Sequence, residues 1–401
     1  MTSLAIIGGG IVGLSTAISA VKDNKFKRIT LFEKDLCGAH NSGKNSGVIH
    51  AGIYYKPNTL RAKLCVEGSR ELRKWCNEND LLLLETGKLI VPTTINELNE
   101  LNRLKNNADK NGAETYILKS KKDIHSICEE VNCYQDTAIW SPNTYNCNPI
   151  QIISTLKDEC ISLGVDIKEG FNAKIVKSNT QSYHIETNED SYFPKTIINT
   201  AGQHADLLAR SCNSKLKEAF LPVLGRYFEC IESENWHLPK ANIYPVPNPS
   251  LPFLGLHVSP YWNGQSYAGP TAIPVLAREA YNNFKGVERD VLITIFKYGF
   301  SNLITKPRFF VDYLSEEFRH LSIFEAAKDL KKMFPTFQPD NLMYSTKSGI
   351  RPQLVNLEGG DLINEFRVLK DLNTLHVLNC ISPAFTASFP LGRYIYGLLD
   401  K

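Results

Sequence analysis

The stretch from Leu4 to Glu33 constrains the fold more than any other part of the chain. An apolar run leads into Gly8-x-Gly10-x-x-Gly13, and a second apolar run ends at Glu33. Gly8 permits a tight turn, Gly10 lets the backbone approach a pyrophosphate, and Gly13 allows a helix to pack closely on a strand. The start of that helix favours phosphates, and Glu33 can accept a hydrogen bond from a ribose hydroxyl. The pattern therefore predicts a dinucleotide site, without choosing between FAD and NAD.

Composition and charge narrow the class of protein. The length of 401 residues suggests two or three interleaved units. A hydrophobic fraction of 43% and a charged fraction of 22% are typical of a globular protein. A net charge of +3 without a basic block argues against nucleic acid as a partner. The ten cysteines form no C-x-x-C pair, so we expect reduced thiols and no zinc or other metal site.

The same reasoning gives an expected location. No apolar run reaches the ~18 residues that a transmembrane helix needs. The first strand begins almost at Met1, which leaves no room for a signal peptide before it. We therefore expect a cytoplasmic protein without a transmembrane segment, and peripheral contact at the inner face of a membrane stays open.

The order of the segments predicts an α/β fold. A Rossmann-like nucleotide-binding domain is assembled from separated parts of the chain, and two insertions build a cap domain around a mixed or antiparallel sheet. The supporting segments are a strand at 87–92, a helix after a capping box at Thr94 and Glu97, a helix capped by Asn148, β-like residues from 222 to 269, mostly helical residues from 275 to 340, and strands followed by a helix from 345 to 401.

Six strings then resemble one family along the whole chain, from residue 4 to about residue 390. They are Asn45–Pro57, Gly87–Val91, Asn242–Pro247, Pro252–His257, Gly269-Pro270 and Ser382–Ser388. Together they resemble the L-2-hydroxyglutarate dehydrogenase/oxidase family, which belongs to the D-amino-acid-oxidase-like superfamily of FAD enzymes. Two departures are Lys44, where the family usually has histidine, and the sequence from Asn379 to Ser388.

The resemblance implies an activity and a division into domains. It implies non-covalent FAD, oxidation of L-2-hydroxyglutarate to 2-oxoglutarate by hydride transfer from C2 to flavin N5, and electrons passed to a quinone, oxygen or another acceptor. The FAD-binding domain is expected at 1–86, 140–215 and 345–401, and the substrate-binding cap domain at 87–139 and 216–344. The alternatives are another 2-hydroxy acid, a glycine- or sarcosine-type amine, glycerol-3-phosphate, a flavin protein without turnover, or a nicotinamide-only dehydrogenase.

Three residues are predicted to carry the chemistry. Arg351 is the candidate clamp for the substrate carboxylate, because its planar guanidinium suits bidentate recognition. His50 and His257 are the candidate general bases, because imidazole titrates near neutral pH. The sequence does not choose between the two histidines. The alternative for all three residues is a structural ion pair or hydrogen bond.

The remaining candidates hold the cofactor or a second carboxylate of the substrate. The predicted cofactor-binding residues are Gly8, Gly10, Gly13, Glu33, Asn45, Ser46, Gly47, Thr386 and Ser388. The predicted partners for a second carboxylate are Tyr54 and Tyr55, with Lys44, Lys56 and Arg226 as weaker candidates. No cluster of His, Asp and Glu has the spacing of a metal site along the sequence.

Overall fold

The computed structural model describes residues 3–177, 182–212, 215–249, 254–281 and 286–400. Pro252 and Phe253, which open one of the family-like strings, lie outside the described residues. The helices are α1 (Ile11–Asp23), α2 (Leu60–Glu78), α3 (Ile95–Asn111), α4 (Lys121–Ile127), α5 (Pro149–Ser162), α6 (Ala205–Cys212), α7 (Arg289–Thr305), α8 (Pro307–Arg319), α9 (Ile323–Leu330) and α10 (Ser388–Gly397). None of the described helices is long and apolar enough to cross a membrane.

Most of the strands are short, and two are long. They are β1 (Ser3–Ile7), β2 (Arg28–Glu33), β3 (Val48–Ile49), β4 (Leu83–Leu84), β5 (Lys88–Val91), β6 (Tyr116–Leu118), β7 (Ala138–Ser141), β8 (Tyr145–Cys147), β9 (Asp166–Glu169), β10 (Lys174–Lys177), β11 (Tyr183–Glu186), β12 (Ser191–Tyr192), β13 (Thr196–Asn199), β14 (Glu218–Cys230), β15 (Asn242–Pro245), β16 (His257–Pro260), β17 (Ser266–Gly269), β18 (Ile273–Pro274), β19 (Leu342–Asn356), β20 (Arg367–Asp371) and β21 (Thr374–Asn379).

The first sheet is the predicted Rossmann-like sheet. Its six strands lie in the order β20-β21-β13-β1-β2-β9, and all neighbours except the edge pair β20–β21 run parallel. Helix α1 follows β1 directly and packs against α5 and α10. A Cβ at Gly392 of α10 would lie 2.7 Å from the backbone of Ser15, so the two helices approach closely. The opening strand–helix–strand unit is thus confirmed.

The second sheet is the mixed sheet expected in the cap. Eight of its nine strands lie in the order β18-β14-β17-β16-β15-β5-β7-β6, and β19 pairs with β14. The pair β5–β15 is parallel, and the other pairs are antiparallel. The domain boundary predicted at residue 345 falls inside β19, which belongs to this sheet over its full length. We therefore propose that the cap extends to Asn356.

Each sheet covers its own hydrophobic core. Leu4, Leu14 and Leu391 belong to the core beside the parallel sheet, where α1 and α10 meet it. Trp236 and Phe337 belong to the core beside the mixed sheet, with their rings edge to face at 4.8 Å. Burial of large apolar side chains against both sheets stabilises the two layers, at roughly 1.5–3 kcal/mol per side chain.

Two predicted helix starts have different outcomes. The side chain of Asn148 accepts hydrogen bonds from the N–H groups of Ile150 and Gln151, so the predicted cap of α5 is confirmed. The predicted capping box at the start of α3 is wrong, because Thr94 makes no side-chain cap. Glu97 instead accepts from the N–H and the hydroxyl of Thr93, since that residue lies within its reach.

Candidate active site

A cavity of about 970 Å³ is lined from both sheets. Gly8 and Gly10 lie on its wall at the carboxyl end of β1. Tyr244, His257 and Arg351 line it from β15, β16 and β19 of the mixed sheet. Ligands of open α/β sheets bind at the carboxyl ends of parallel strands, and the cavity occupies that position.

The glycine loop leaves room for a dinucleotide. Gly8 has φ +111°, a conformation that favours glycine, and its N–H donates to Phe32 O at 2.8 Å. A Cβ at Gly13 would overlap the carbonyl oxygen of Gly8, so α1 reaches this distance from β1 only with glycine there. Gly10 caps α1 and lines the cavity. The close backbone approach that Gly10 permits and the helix N-terminus fit a pyrophosphate.

Glu33 braces this loop from the end of β2. Its Oε2 accepts from the N–H of Gly9 at 2.7 Å, and its Oε1 accepts from the N–H of Asp35 at 3.0 Å. The carboxylate also lies on the cavity wall, and a carboxylate has about four acceptor positions. The hydrogen bonds to the loop therefore leave room for the predicted ribose contact, which stays a prediction.

The polar loop after β2 contributes the middle of the cavity. Asn45 and Ser46 line it, and Asn45 Oδ1 accepts from the N–H of Gly47 at 2.7 Å. Gly47 itself lies off the wall with φ +76°, and a Cβ there would meet the carbonyl oxygen of Cys147 at 2.6 Å. Gly47 therefore shapes the loop from behind.

Thr386 and Ser388 lie in different environments although they are two residues apart. Thr386 lines the cavity, and its hydroxyl accepts from the N–H of His50 at 3.1 Å. Ser388 is fully buried at the start of α10 and does not reach the wall. The short loop before α10 therefore joins the His50 loop to the cavity at Thr386.

His257 lines one end of the cavity from β16 in a defined tautomer. Its Nδ1 is 3.0 Å from Gly255 O, and because a carbonyl oxygen only accepts, Nδ1 is the donor. Nε2 then carries the lone pair of the neutral ring. The ring stacks on Tyr244 with centroids 3.8 Å apart. Burial lowers the pKa of His257 to about 3, with the hydrogen bond to Gly255 opposing and the charge of Lys88 assisting.

His50 shares this end of the cavity. It directly follows β3, and its Nδ1 is buried with no hydrogen-bond partner among the described residues. Burial holds the pKa of His50 well below its ordinary value, and the nearby charges of Lys88, His257 and Arg61 lower it further. Both histidines are therefore neutral near pH 7 and able to accept a proton.

Arg351 supplies positive charge to the same end. It lies on β19, opposite Val223 of β14, and it lines the cavity. Burial lowers the pKa of Arg351 to about 10, the neighbouring Arg61 acts in the same direction, and Tyr55 and Tyr313 act against them. Two guanidinium groups close together in a poorly solvated place favour the binding of an anion.

Several predicted substrate contacts lie behind the wall. The Tyr54 ring stacks 6.4 Å from Tyr244, and the guanidinium of Arg61 lies 4.8 Å from the Tyr55 ring, so both tyrosines form a second layer. Lys44 lines the cavity, whereas Lys56 and Arg226 do not.

Sequence reasoning missed other groups at the site. Tyr227, Gln203 and Tyr244 line the cavity, and Lys88 lies next to Tyr244. For Lys88 a signal was present, because it is the one charged residue of the string Gly87–Val91.

Two groups of side chains among the described residues have a spacing that a metal ion could use. They are Glu33 with Asp35 and His40, and Glu316 with His320 and Asp329. Each group falls within a short stretch of the chain, and the expectation that the protein has no metal site stays a prediction. Each group is held internally by a histidine–aspartate contact of 2.7 Å.

Comparison with known proteins places the chain. The family described as FAD dependent oxidoreductase matches residues 3–398. The mitochondrial L-2-hydroxyglutarate dehydrogenase of Nematostella vectensis is 32% identical, with 98% of this chain and 89% of that protein covered. The L-2-hydroxyglutarate dehydrogenase of Indibacter alkaliphilus is 33% identical, with 96% of each covered.

A solved structure supports the fold. The FAD-bound L-α-glycerophosphate oxidase of Mycoplasma pneumoniae aligns with a TM-score of 0.75 at 23% identity, covering 100% of this chain and 96% of that one. The glycine-lined loop, the helix N-terminus and the size of the cavity fit FAD as the cofactor. The chain belongs to the FAD-dependent oxidoreductase family and, within it, is a relative of the L-2-hydroxyglutarate dehydrogenases.

Proposed function

We propose that this protein oxidises L-2-hydroxyglutarate to 2-oxoglutarate with non-covalently bound FAD. The observation that carries the proposal is the combination, on the cavity wall, of two neutral histidines with Arg351, which has Arg61 as a neighbouring charge. A 2-hydroxy acid needs these two functions, a base for its hydroxyl proton and a cation for its carboxylate. FAD, when bound, supplies the acceptor for the hydride that leaves C2.

Arg351 binds the carboxylate next to the reacting carbon. Its planar guanidinium can donate two parallel hydrogen bonds to a carboxylate, and the low exposure of this end strengthens the attraction. Arg61 adds positive potential from behind. This pair therefore orients the substrate and favours a doubly charged acid over a neutral alcohol.

A histidine ring nitrogen takes the hydroxyl proton. In His257 the acceptor is Nε2, because Nδ1 donates to Gly255 O. In His50 the acceptor is the ring nitrogen that faces the cavity. Either His50 or His257 can therefore be the base. A bound dianion raises the affinity of either ring for a proton, which brings the base closer to the working pH.

Anaerobic mixing of the FAD-loaded protein with L-2-hydroxyglutarate tests the substrate. We expect the visible absorption of oxidised flavin to disappear with this acid, and much more slowly with D-2-hydroxyglutarate, glycine, sarcosine or glycerol-3-phosphate. Faster bleaching by one of the other compounds would show that this compound, and not L-2-hydroxyglutarate, is the substrate. A flavin that none of them reduces would leave a flavin protein without this activity.

We also propose a quinone as the electron acceptor and a peripheral position at the inner face of a membrane. One face of α7 exposes large apolar side chains: Leu292, Ile293, Phe296, Phe300, Leu303 and Ile304. Their spacing places them on a single stripe of the helix. The cations Arg289, Lys297 and Arg308 are exposed beside it. An apolar stripe flanked by cations is typical of helices that lie on anionic lipid.

Flotation with lipid vesicles tests this position. We expect binding to vesicles containing phosphatidylglycerol and weaker binding to phosphatidylcholine alone. The double variant Phe296→Asp with Phe300→Asp should lose binding, whereas Phe193→Asp, at a phenylalanine that is 73% exposed outside these helices, should not. Equal flotation of both variants would show that the apolar stripe of α7 is not the membrane-binding surface. Parallel assays of quinone reduction and oxygen consumption identify the acceptor.

A further inference from the structure

Lys88 is a buried lysine beside the active site. It begins β5, and its side chain is fully enclosed, with a relative exposure of 1%. Its Nζ lies 4.0 Å from the ring centroid of Tyr244 and 5.1 Å from that of Tyr54. Among the described residues, the neighbouring group that raises the pKa of Lys88 is the Cys65 thiol, and no carboxylate does so. Burial of an ammonium group costs stability, and two tyrosine rings offset part of that cost.

Strand pairing places Lys88 on the same side of the sheet as the catalytic candidates. In the parallel pair β5–β15, Lys88 lies opposite Asn242 and Ile90 opposite Tyr244. Because alternate residues of a strand share a face, Lys88 and Tyr244 point to the same face. Tyr244 in turn stacks on His257 of the next strand. A continuous row therefore runs from Lys88 through Tyr244 to His257.

We propose that Lys88 is a positioning residue whose buried charge keeps His50 and His257 unprotonated, and so ready to accept the hydroxyl proton of the substrate. The inference rests on the proposed function, in which one of these histidines is the base. Lys88 acts through the histidines and lies outside the cavity wall, so it does not bind the substrate itself.

The surroundings of the two histidines single out Lys88. The charge of Lys88 lowers the pKa of both rings, whereas His257 and Arg61 lower only that of His50. The other titratable groups around them are the phenols of Tyr54 and Tyr244 and the thiol of Cys65, which donates to His50 O at 3.5 Å. Burial raises the pKa of Cys65 to about 12 and also raises those of both phenols, so these groups are neutral near pH 7.

The charge of Lys88 is present in the pH range where it is needed. Burial lowers the pKa of Lys88 to about 7. Below that pH the lysine is protonated, and this is the range in which an ordinary histidine would also take up a proton. Above it Lys88 loses its charge, but a histidine is then neutral without help. The pair of histidines therefore stays deprotonated over a wider acid range than burial alone would give.

A charge series at position 88 tests the proposal. Lys88→Arg keeps the charge, Lys88→Met removes it and Lys88→Glu reverses it. The titration of His50 and His257 is followed by NMR of ¹³C-labelled histidine in the FAD-loaded protein without substrate, with signals assigned from His50→Asn and His257→Asn. We expect the midpoints to rise in the order Arg, Met, Glu, by about one pH unit per unit of charge.

Lys347→Met is the matched control. Lys347 is a half-buried lysine with its Nζ 3.5 Å from the Tyr261 ring centroid, and it is not among the charges that shift either histidine. We expect unchanged midpoints in this variant. The same midpoint in all three Lys88 variants would overturn the proposal, and if the Glu variant does not fold, the Arg and Met variants still decide.

The acid limb of flavin reduction is the second readout. In the FAD-loaded enzyme its midpoint should rise in the same order as the histidine midpoints, with recovery in Lys88→Arg. The NMR measurement needs no substrate, so it stands if L-2-hydroxyglutarate is not oxidised. An ordered NMR series with an inert flavin would reject the proposed function alone, and an unordered series with normal turnover would reject the role of Lys88 alone.

Discussion

Two arginines of this molecule, one fully buried and one half-buried, have opposite surroundings. Arg278 is 1% exposed and is held by Asp206 at 2.7 and 3.0 Å and by Asp290 at 2.6 Å. Burial works to lower the pKa of Arg278, but these carboxylates more than offset it and the pKa is raised. Around Arg351, burial and Arg61 together lower the pKa to about 10. The protein thus pairs Arg278 with carboxylates within its scaffold and places Arg351 on the cavity wall.

The largest effect is expected at the ion pair of Arg278 and Asp206, and it is an effect on stability. Asp206→Asn should reduce the free energy of unfolding by about 3–5 kcal/mol, because a buried guanidinium loses its main counter-charge. Urea unfolding followed by circular dichroism measures it. The double variant Asp206→Asn with Arg278→Met should recover part of the loss, since no unpaired charge is then buried. A double variant less stable than the single one would contradict the neutralising role of Asp206.

The next effect is expected at the Arg351 end, on activity instead of stability. Arg351→Met should lower kcat/KM for the 2-hydroxy acid about 10²–10³-fold, mostly through KM, because a charge-assisted contact to the carboxylate is lost. Stability should be unchanged or slightly higher, and FAD content should stay the same. Steady-state kinetics and urea unfolding of the same preparation give both numbers. An unchanged KM would reject Arg351 as the clamp.

The same contrast explains what could be predicted from the sequence. The loop from Gly8 to Gly13 and Glu33 belong to one contiguous strand–helix–strand unit, so spacing alone placed them correctly. His257 and Arg351 reach the cavity only through β16 and β19 of the mixed sheet. The resemblance to a family supplied these residues, because no local pattern defines which strands become neighbours.

The misplaced and missed residues have physical reasons. Tyr54 and Tyr55 are adjacent in a loop, and each turns to a cation behind the wall, Lys88 and Arg61 respectively. Lys88 stands out in the sequence as the one charge of an apolar strand, but a lone lysine usually lies in water, so its burial became evident only with β15 paired beside it. Tertiary contacts, which the sequence does not display, decided these positions.

A smaller effect is expected on the pH dependence of stability, which differs between the cavity and the Arg278 ion pair. His257 has a folded pKa of about 3 and an unfolded value of about 6.5, so between these values the unfolded chain binds more protons. Stability is complete above pH 6.5 and falls as the pH decreases, by about 1.4 kcal/mol per pH unit for this group. His257→Gln should remove this slope, and His237→Gln, at an exposed histidine, should not.

The ion pairs of Arg278 lose their contribution to stability only at a lower pH than His257 does. The hydrogen bond from Arg278 and its charge lower the pKa of Asp290, although burial acts against them. A carboxylate with a depressed pKa stabilises the fold above its unfolded value of about 3.9 and loses that contribution as the pH falls below it. Urea unfolding between pH 7 and pH 4 should therefore report mainly the histidines. An unchanged slope in His257→Gln would show that the ring is not buried in its neutral form.

The smallest effect is expected at Glu279, the neighbour of Arg278 in sequence. Its Oε1 lies 2.9 Å from His204 Nε2 and also contacts Lys34, and the side chain is 34% exposed. The hydrogen bond from His204 is the largest cause of its lowered pKa. Because water screens this network, Glu279→Gln should cost about 1 kcal/mol or less, compared with the larger loss at the fully buried Asp206.

Salt and pH distinguish this half-exposed network from the buried pair at Arg278. The cost of Glu279→Gln should shrink at high ionic strength, because exposed charges are screened. It should also fade as the pH drops below about 4.3, where the carboxylate of the unfolded chain becomes protonated and the contribution of Glu279 is progressively lost. Urea unfolding at low and high salt measures both trends. A loss as large as that of Asp206→Asn, and insensitive to salt, would mean that burial does not set the difference between these neighbouring carboxylates.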